Sequence, residues 1–383
     1  MGKPVTGRYF VDREKELGRL LALVKGVEKD SSSNAVLIGL RRTGKSSLLE
    51  NLAIKLRSNL RIVPMIVNCY GIATKSRFAK LLVDMAISSY ITKTGDKLYL
   101  ARLTKAATEG AKAVVATVSE VKFSEFTVSF RDKQTDEDTL IENAFRYVES
   151  LATEKGVFFV MMLDEFQDIL RWGDDTLKRI RTAMQLQKRI CYVLAGSATT
   201  VMRNLVYDRR SPFYRQLIEI PVKKLDQRDA KNFLKKRFAS VRISCGNAQI
   251  DKIVVYSGGY PDYVQRLGME LYLAMGPRGS ISQQHVDNAY EEMILSLDGE
   301  FENYFAAFSP LEREALVALA AGSIQPSEVA REVRKPIFNI SKTLTTLVNY
   351  GVIERPMKAQ YRLADPVFAD WLRSRFKPVS GKG

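Results

Sequence analysis

The segment GLRRTGKS, residues 39–46, has the residue types and the spacing that bind a polyphosphate. It fits G-x-x-x-x-G-K-[ST] without mismatch, and it lies between the apolar run AVLI and a helical stretch, as the pattern requires. The two glycines let backbone N–H groups turn inward around phosphates, and the helix N-terminus adds positive potential. Lys45 can reach the β and γ phosphates, Ser46 offers a hydroxyl to Mg²⁺, and Ser47 can approach the α phosphate. The predicted phosphate-binding positions are Gly39, Leu40, Arg41, Arg42, Thr43, Gly44, Lys45, Ser46 and Ser47.

A second candidate element is the run VFFVMMLDEFQD, in which an apolar strand ends in Asp164 and Glu165. An acid at the carboxyl end of a strand beside the P-loop strand can hold Mg²⁺, and we predict this role for Asp164. Glu165 is then placed to orient and deprotonate the attacking water. An Asp-Glu pair is common in turns, so the prediction depends on the upstream P-loop. Together the two elements favour hydrolysis of a nucleoside triphosphate over nucleotide storage.

Two further polar residues have a functional and a structural interpretation. Ser197 ends the strand CYVLAG, where its hydroxyl can sense the γ phosphate or the water, but a Gly-Ser turn explains it equally well. Arg215, in SPFYRQ, can supply positive charge to the phosphates of a neighbouring subunit, as an arginine finger does. A surface salt bridge is the alternative for this arginine.

The pattern of apolar segments predicts the fold that positions these residues. Five short β-rich runs that are apolar almost throughout alternate with helical stretches up to about residue 220, which indicates a parallel sheet covered on both faces. Between residues 93 and 136 an Ala-rich helical stretch precedes the alternating run VKFSEFTVSF, which we interpret as an inserted helix and a β-ribbon. After residue 222 we expect helices in place of strands.

The C-terminal part carries the pattern of a winged helix-turn-helix. Ser309 opens S-P-L-E, which combines an N-cap serine, a proline at the first helical position and the reciprocal Glu312. Two more helical stretches follow, and VIERPMKAQYRL predicts two strands around a polar turn. We therefore predict an α/β nucleotide-binding domain over residues 1–222 with the insertion at about 93–136, a helical lid over 223–300, a winged-helix domain over 301–376 and a tail over 377–383.

Composition narrows the compartment and the partners. No apolar run approaches the roughly 18 to 20 residues that cross a bilayer, so we expect a soluble cytoplasmic protein with no membrane partner. Three dispersed cysteines and one histidine argue against a zinc site or a disulfide framework. The formal charge of +16 makes nucleic acid a plausible partner, because Lys and Arg gain affinity by releasing counterions from phosphates. A basic surface can also serve solubility or an acidic protein partner.

The sequence also resembles the archaeal ATPases of the STAND class, which are relatives of the AAA+ origin-recognition ATPases. The resemblance covers most of the chain and rests on YFVDREKEL, GLRRTGKSS, LDEFQD, LAGS, SPFYR, GGYP and YRLADPVFADWL. It implies a P-loop NTPase sheet of order 5-1-4-3-2, a helical lid, a winged helix, and ATP as the nucleotide. It also implies adenine contacts from Phe10, Val11, Arg13, Tyr260 and Pro261. The chain departs from the family where VKFSEFTVSF has no match and where no clear second sensor arginine follows GGYP, although Arg266 is near.

Three functional hypotheses follow. The first is an ATP-dependent switch on double-stranded DNA, in which basic residues of the winged helix bind phosphates and polar ones reach base edges. The second is a STAND signalling or assembly ATPase whose winged helix binds a protein partner or supports self-association. The third, a small-molecule kinase, is disfavoured because it gives no use to Glu165 or to the winged helix. The candidate DNA contacts are Lys335, Asn339, Lys342, Thr343, Thr346, Arg355 and Lys358.

Overall fold

A five-stranded parallel sheet forms the centre of the N-terminal part of the molecule. The computed structural model describes residues 4–7, 10, 13–29, 33–109, 118–132, 134–276 and 279–376. The strands are β1 (Ala35–Ile38), β2 (Ile62–Asn68), β3 (Phe158–Asp164), β4 (Ile190–Gly196) and β5 (Ile218–Pro221). They are all parallel, in the order β5-β1-β4-β3-β2. The predicted order is confirmed, and all carboxyl ends therefore meet at one edge of the sheet.

Helices cover both faces of this sheet, which explains why its strands are apolar almost throughout. Successive residues of a strand point to opposite faces of the sheet and so pack into different hydrophobic cores, as Leu37 and Ile38 of β1 do. The helices of this part are α1 (Glu14–Lys25), α2 (Lys45–Leu56), α3 (Lys75–Thr94), α4 (Leu98–Glu109), α5 (Val118–Arg131), α6 (Glu137–Glu154), α7 (Gln167–Leu170), α8 (Asp174–Leu186) and α9 (Thr199–Tyr207).

The predicted β-ribbon is wrong, because the run VKFSEFTVSF lies in α5. The same run that alternates like a strand also places Phe123, Phe126 and Phe130 at helical spacing. Phe126 is buried, and the Phe123 ring lies 5.7 Å from that of Tyr147 on α6. Packing against α6 therefore selects the helical period over the alternating one.

A lid of helices follows the sheet. Its helices are α10 (Gln227–Ser240), α11 (Asn247–Ser257), α12 (Pro261–Met275) and α13 (Gln283–Ser296). The expectation that strands stop after residue 222 is wrong in one detail, since β6 (Ser244–Cys245) and β7 (Ser280–Ile281) form a short parallel pair. Gly258 ends α11 with a φ of +56°, and Pro261 occupies the first turn of α12. This glycine and proline therefore mark the boundary between the two helices, as the sequence indicates.

The C-terminal unit, residues 309–376, consists of helices and one hairpin. After the connecting helix α14 (Asp298–Ala306) come α15 (Pro310–Ala321), α16 (Pro326–Val333), α17 (Ile337–Asn349), β8 (Ile353–Met357), β9 (Gln360–Leu363) and α18 (Pro366–Arg375). The Ser309–Glu312 capping box forms as predicted. The lid and this unit share one apolar core, so they pack against each other as a continuous layer. None of the described helices is both long and apolar enough to span a bilayer.

Candidate nucleotide-binding site

The P-loop connects β1 to α2, in the strand–loop–helix order that the sequence predicts. Gly44 has a φ of +95° at the N-cap of α2, in the left-handed region that favours glycine. Gly39 is required for a different reason, since a Cβ there would lie 2.1 Å from the carbonyl oxygen of Val222. The loop therefore packs against the chain that leaves β5, and no larger residue fits at its first position.

Lys45 is buried at the base of this loop. Its Nζ donates to the carbonyl oxygens of Gly39 and Leu40, both at 2.9 Å. Burial lowers the pKa of Lys45 from its usual value, while Glu165 and Asp164 act in the opposite direction. The ammonium group thus lies between the loop and the acids at the end of β3, where a triphosphate would meet it.

Ser46 and Asp164 lie side by side although 118 positions separate them. The Ser46 hydroxyl donates to Asp164 Oδ2 at 2.5 Å, and burial raises the pKa of Asp164 despite this hydrogen bond. A hydroxyl and a carboxylate oxygen in contact are hard donors that fit Mg²⁺, which keeps several waters and is bound through one or two carboxylates plus substrate phosphates. Within the described ranges no group of three or more His, Cys, Asp or Glu forms a metal cage.

Glu165 and Ser197 also meet at the carboxyl edge of the sheet. The Ser197 hydroxyl donates to Glu165 Oε2 at 2.9 Å, so the residues that follow β3 and β4 are in direct contact. Gln167 Nε2 donates to the same carboxylate oxygen at 2.5 Å. Sequence reasoning missed Gln167, although an amide two residues after the acid in LDEFQD was a visible signal.

A small pocket beside the P-loop brings together three of the residues for which the family resemblance implies adenine contacts. Phe10, Arg13 and Pro261 line it together, while Val11 lies outside the described residues. Its other lining residues, most of which the sequence did not nominate, are Val5, Thr43, Gly44, Ser47, Leu225, Phe233 and Gln265. Arg13 is almost fully buried and donates to the carbonyl oxygens of Thr43, at 3.0 Å, and Lys223, so it braces the P-loop against the start of the lid.

Tyr260 lies outside the pocket that its neighbour Pro261 lines. Its ring is buried, and its hydroxyl donates to the carbonyl oxygen of Ala364 at 2.6 Å. Tyr260 instead lines a separate cavity of about 220 Å³ between the P-loop, α14 and the C-terminal unit. Through this hydrogen bond Tyr260 connects the start of α12 to the C-terminal unit.

Two arginines of the P-loop point away from the loop. The Arg41 guanidinium lies 4.5 Å above the Tyr304 ring of α14. Arg42 pairs with Asp262 of the lid and Glu300 of α14, each at 2.6 Å, and lies 3.8 Å from Asp365 of the C-terminal unit. Burial by itself lowers the pKa of Arg42, but the neighbouring tyrosine and carboxyl groups raise it above its usual range. Arg42 therefore ties the P-loop to both following parts of the chain.

Arg215 is at the opposite edge of the sheet from the P-loop. It precedes β5 by three positions, and its backbone N–H donates to the carbonyl oxygen of Val206 near the end of α9. Ile218 pairs with Ala35 at the amino end of β1, whereas the P-loop begins after the carboxyl end of that strand. The exposed Arg215 side chain is thus remote from the phosphates of its own chain.

The C-terminal unit rests on the P-loop through Gly351, which follows α17. This glycine has a φ of +71°, and a Cβ there would lie 3.2 Å from both Leu40 Cδ2 and the carbonyl oxygen of Ser197. We expect Gly351→Ala to cost about 1–2 kcal/mol in backbone conformation, with a further loss as this contact opens. Thermal unfolding and limited proteolysis of the C-terminal unit measure the effect.

Gly95→Ala is the matched control for this prediction. Gly95, which follows α3, has a similar positive φ, +75°, but no atom lies within 4 Å of the position of its Cβ. Gly95→Ala should therefore lower the unfolding temperature less than Gly351→Ala and leave the proteolysis pattern of the C-terminal unit unchanged. Equal effects of the two substitutions would contradict the tight contact between the C-terminal unit and the P-loop.

Five of the seven predicted DNA contacts are on the surface of the C-terminal unit. Thr343 and Thr346 are half-buried, and the Thr346 hydroxyl donates to the carbonyl oxygen of Lys342 at 3.2 Å. Sequence analysis did not nominate Phe338 as a surface contact, although its side chain is 76% exposed in the first turn of α17. The five exposed candidates are Lys335, Asn339, Lys342, Arg355 and Lys358.

The sheet order, the P-loop and the paired acids define a P-loop NTPase. A family model described as an ATPase domain predominantly from Archaea matches residues 10–267, and the chain belongs to this family. The resemblance to archaeal ATPases noted in the sequence is therefore confirmed. No curated protein sequence matches the chain.

Solved structures share this fold over almost the whole chain. The Walker-type ATPase PABY2304 of Pyrococcus abyssi is 22% identical, covers 97% of this chain and 99% of its own, and has a TM-score of 0.69. The ORC2 protein of Aeropyrum pernix, solved as ADPNP and ADP complexes, is 14% identical over 95% and 94%, with a TM-score of 0.58. The ORC1 protein of Aeropyrum pernix, solved in complex with DNA, is 13% identical over 95% and 93%, with a TM-score of 0.54.

Proposed function

We propose that this ATPase is a magnesium-dependent molecular switch that couples ATP hydrolysis to the position of its lid and C-terminal unit and acts on double-stranded DNA. One observation carries the proposal: the P-loop segment contacts Asp164 through Ser46 on its inner side and, through Arg42, the carboxylates of the lid and the C-terminal unit on its outer side. The proposed domains are residues 1–222, 223–300 and 301–376, the last being a winged helix.

Each residue of the inner site has a role in hydrolysis. Lys45 binds the β and γ phosphates, and Ser46 and Asp164 hold Mg²⁺. Bound Mg²⁺ supplies neutralisation of charge on those phosphates. Glu165 orients a water and accepts its proton, and Ser197, in contact with that carboxylate, senses the γ phosphate.

Arg215 is proposed to act only between subunits. It precedes β5 at the amino edge of the sheet, opposite the P-loop, which supports an arginine-finger role toward a second copy of the protein. This proposal fits both an assembly on DNA and an assembly around a protein.

Arg42 provides the proposed route from nucleotide to lid. Its ion pairs join residues 220 and 258 positions away, and Arg266 of the lid approaches the same acids, with its Nε 2.9 Å from Asp262 Oδ2. A bound triphosphate competes electrostatically for positive charge in the P-loop, so nucleotide binding and release should change how strongly Arg42 binds these acids. Lid and C-terminal unit then shift between two positions.

The exposed surface of α17 and of the hairpin β8–β9 supports DNA as the partner. Along one stripe of α17, Phe338, Lys342 and Thr345 are exposed at helical spacing. Within the part of the chain that the structure describes, none of the following basic side chains is within ion-pair distance of a carboxylate, so they remain available to phosphates: Arg331, Arg334, Lys335, Lys342, Arg355 and Lys358. A winged helix lays its third helix in the major groove and its wing along the backbone, which matches this distribution.

Duplex DNA affinity should fall steeply with salt and should differ between ATP-bound and nucleotide-free protein. If all six basic side chains contact phosphates, the slope of log affinity against log salt approaches about −5, and Lys342→Ala reduces its magnitude by about 1. Lys235→Ala, an exposed lysine on α10 of the lid, is the control that leaves the slope unchanged. A flat salt response without any nucleotide effect would remove DNA from the proposal.

A STAND-type signalling or assembly ATPase is the second candidate. The observation that favours it is apolar exposure on the C-terminal unit, where Ile337, Phe338 and Met357 are each more than half exposed. Such side chains suit a protein interface. ATP-dependent oligomerisation without affinity for duplex DNA, measured by analytical ultracentrifugation beside the DNA titration, selects this candidate.

A further inference from the structure

Gln167 forms a bridge between the two polar residues at the carboxyl ends of β3 and β4. Its Nε2 donates to Glu165 Oε2 at 2.5 Å and to Ser197 Oγ at 3.3 Å. Its Oε1 accepts from the backbone N–H of Ser197 at 3.1 Å. Rotating the amide by 180° would set oxygen against the Glu165 carboxylate and NH₂ against the Ser197 N–H, so only one orientation satisfies both ends.

The surrounding backbone is built to place this amide. Phe166, which precedes it, is buried and donates its backbone N–H to the carbonyl oxygen of Ala195 at 2.8 Å, which fixes the turn after β3 onto the end of β4. At Gly196 a Cβ would lie 2.8 Å from Gln167 Oε1 and 2.6 Å from the Met202 sulfur. The glycine therefore leaves the space in which the amide lies.

Glu165 depends on such support because its own backbone is in an unusual conformation. Its φ of +51° lies in the left-handed region, which is uncommon for a residue with a side chain. The Glu165 side chain is only half-buried, so packing alone does not hold it. The two hydrogen bonds from Gln167 and Ser197 to one carboxylate oxygen set its direction.

We propose that Gln167 is a positioning residue for hydrolysis that holds the Glu165 carboxylate while the Ser197 hydroxyl changes partner. This inference rests on the proposed role of Glu165 as the base. In the reaction the water oxygen forms a bond to the γ phosphorus, the bond to the ADP oxygen breaks, and the water proton passes to Glu165. When the Ser197 hydroxyl turns to the γ phosphate, Gln167 stays attached to the Ser197 backbone and keeps Glu165 in place.

Gln167→Met tests this role, since methionine has a similar length but neither donates nor accepts as the amide does. We expect kcat to fall about 10- to 100-fold, as small misplacements of catalytic groups do, while the Kd for ATP and the unfolding temperature change little. Gln167→Glu retains an acceptor for the Ser197 N–H but repels Glu165, and we expect a loss at least as large. Gln185→Met, at an exposed position on α8, is the control without effect.

A double-mutant cycle separates positioning from any independent contribution. If Gln167 acts through Glu165, the double variant of Glu165→Gln and Gln167→Met hydrolyses ATP no more slowly than Glu165→Gln alone. Losses that multiply would overturn the inference, as would wild-type kcat in both Gln167 variants beside a slow Glu165→Gln. Full activity of Glu165→Gln would instead overturn the proposed base, and this inference with it.

Discussion

We expect replacement of Glu165 with glutamine to lower ATP turnover about 10²- to 10⁴-fold, the range that general-base catalysis contributes. The glutamine amide keeps the size of the side chain but accepts no proton from water. We expect nucleotide affinity to stay close to that of the wild type, because Lys45, Ser46 and the loop amides are the proposed binding contacts. The Gln167 and Ser197 donors retain an acceptor oxygen at this position, so the local structure persists.

Single-turnover hydrolysis and titration of a fluorescent ATP analogue measure the two quantities separately. Asp175→Asn is a suitable control, since it makes the same chemical change at a side chain that is 90% exposed on α8. Equal turnover of Glu165→Gln and the wild type would show that another group takes the proton.

We expect replacement of Lys45 with alanine to weaken ATP binding by about 10- to 100-fold or more. A hydrogen bond to a charged group contributes about 1.5–3 kcal/mol, and the ammonium group is placed to make such bonds with the β and γ phosphates. The group is almost fully buried, so water does not replace it readily. At subsaturating ATP we expect the hydrolysis rate of this variant to fall in proportion to its loss of ATP binding.

Isothermal titration gives the affinity, and thermal unfolding with and without Mg-ATP gives an independent measure, since a ligand that binds the folded state stabilises it by mass action. The wild type should gain unfolding temperature on addition of Mg-ATP, and Lys45→Ala should not. Lys55→Ala, an exposed lysine near the other end of α2, should behave as the wild type does. If Lys45→Ala keeps both the affinity and the thermal shift, the triphosphate binds elsewhere.

Short-range patterns in the sequence predicted the parts of the molecule that local chemistry controls. The P-loop glycines, the Ser309 capping box and the apolar strands each depend on neighbours within a few positions, and the structure has all of them. The pairing of Ser46 with Asp164 spans a long stretch of chain, yet it was predictable because parallel strands end at a common edge.

The β-ribbon prediction failed because contacts with a distant segment, and not local chemistry, determine the structure of this run. Its aromatic residues fit both an alternating and a helical period, and contact with α6, not the local sequence, decided between them. The hydrogen bond of Tyr260 could not be predicted for a similar reason, since the partner of its hydroxyl, the Ala364 carbonyl, lies 104 positions away.

By itself, the sequence determined the P-loop, the acidic pair at the end of β3, the strand order through the family resemblance, and the helical caps. Only the tertiary structure decided that Arg42 binds carboxylates of two later parts of the chain, that Arg215 lies remote from its own P-loop, and that Gln167 joins Glu165 to Ser197. The physical reason is the distance along the chain between interacting residues. Local backbone geometry is set by adjacent residues, whereas these ion pairs and side-chain hydrogen bonds depend on which distant segments the packed core brings together.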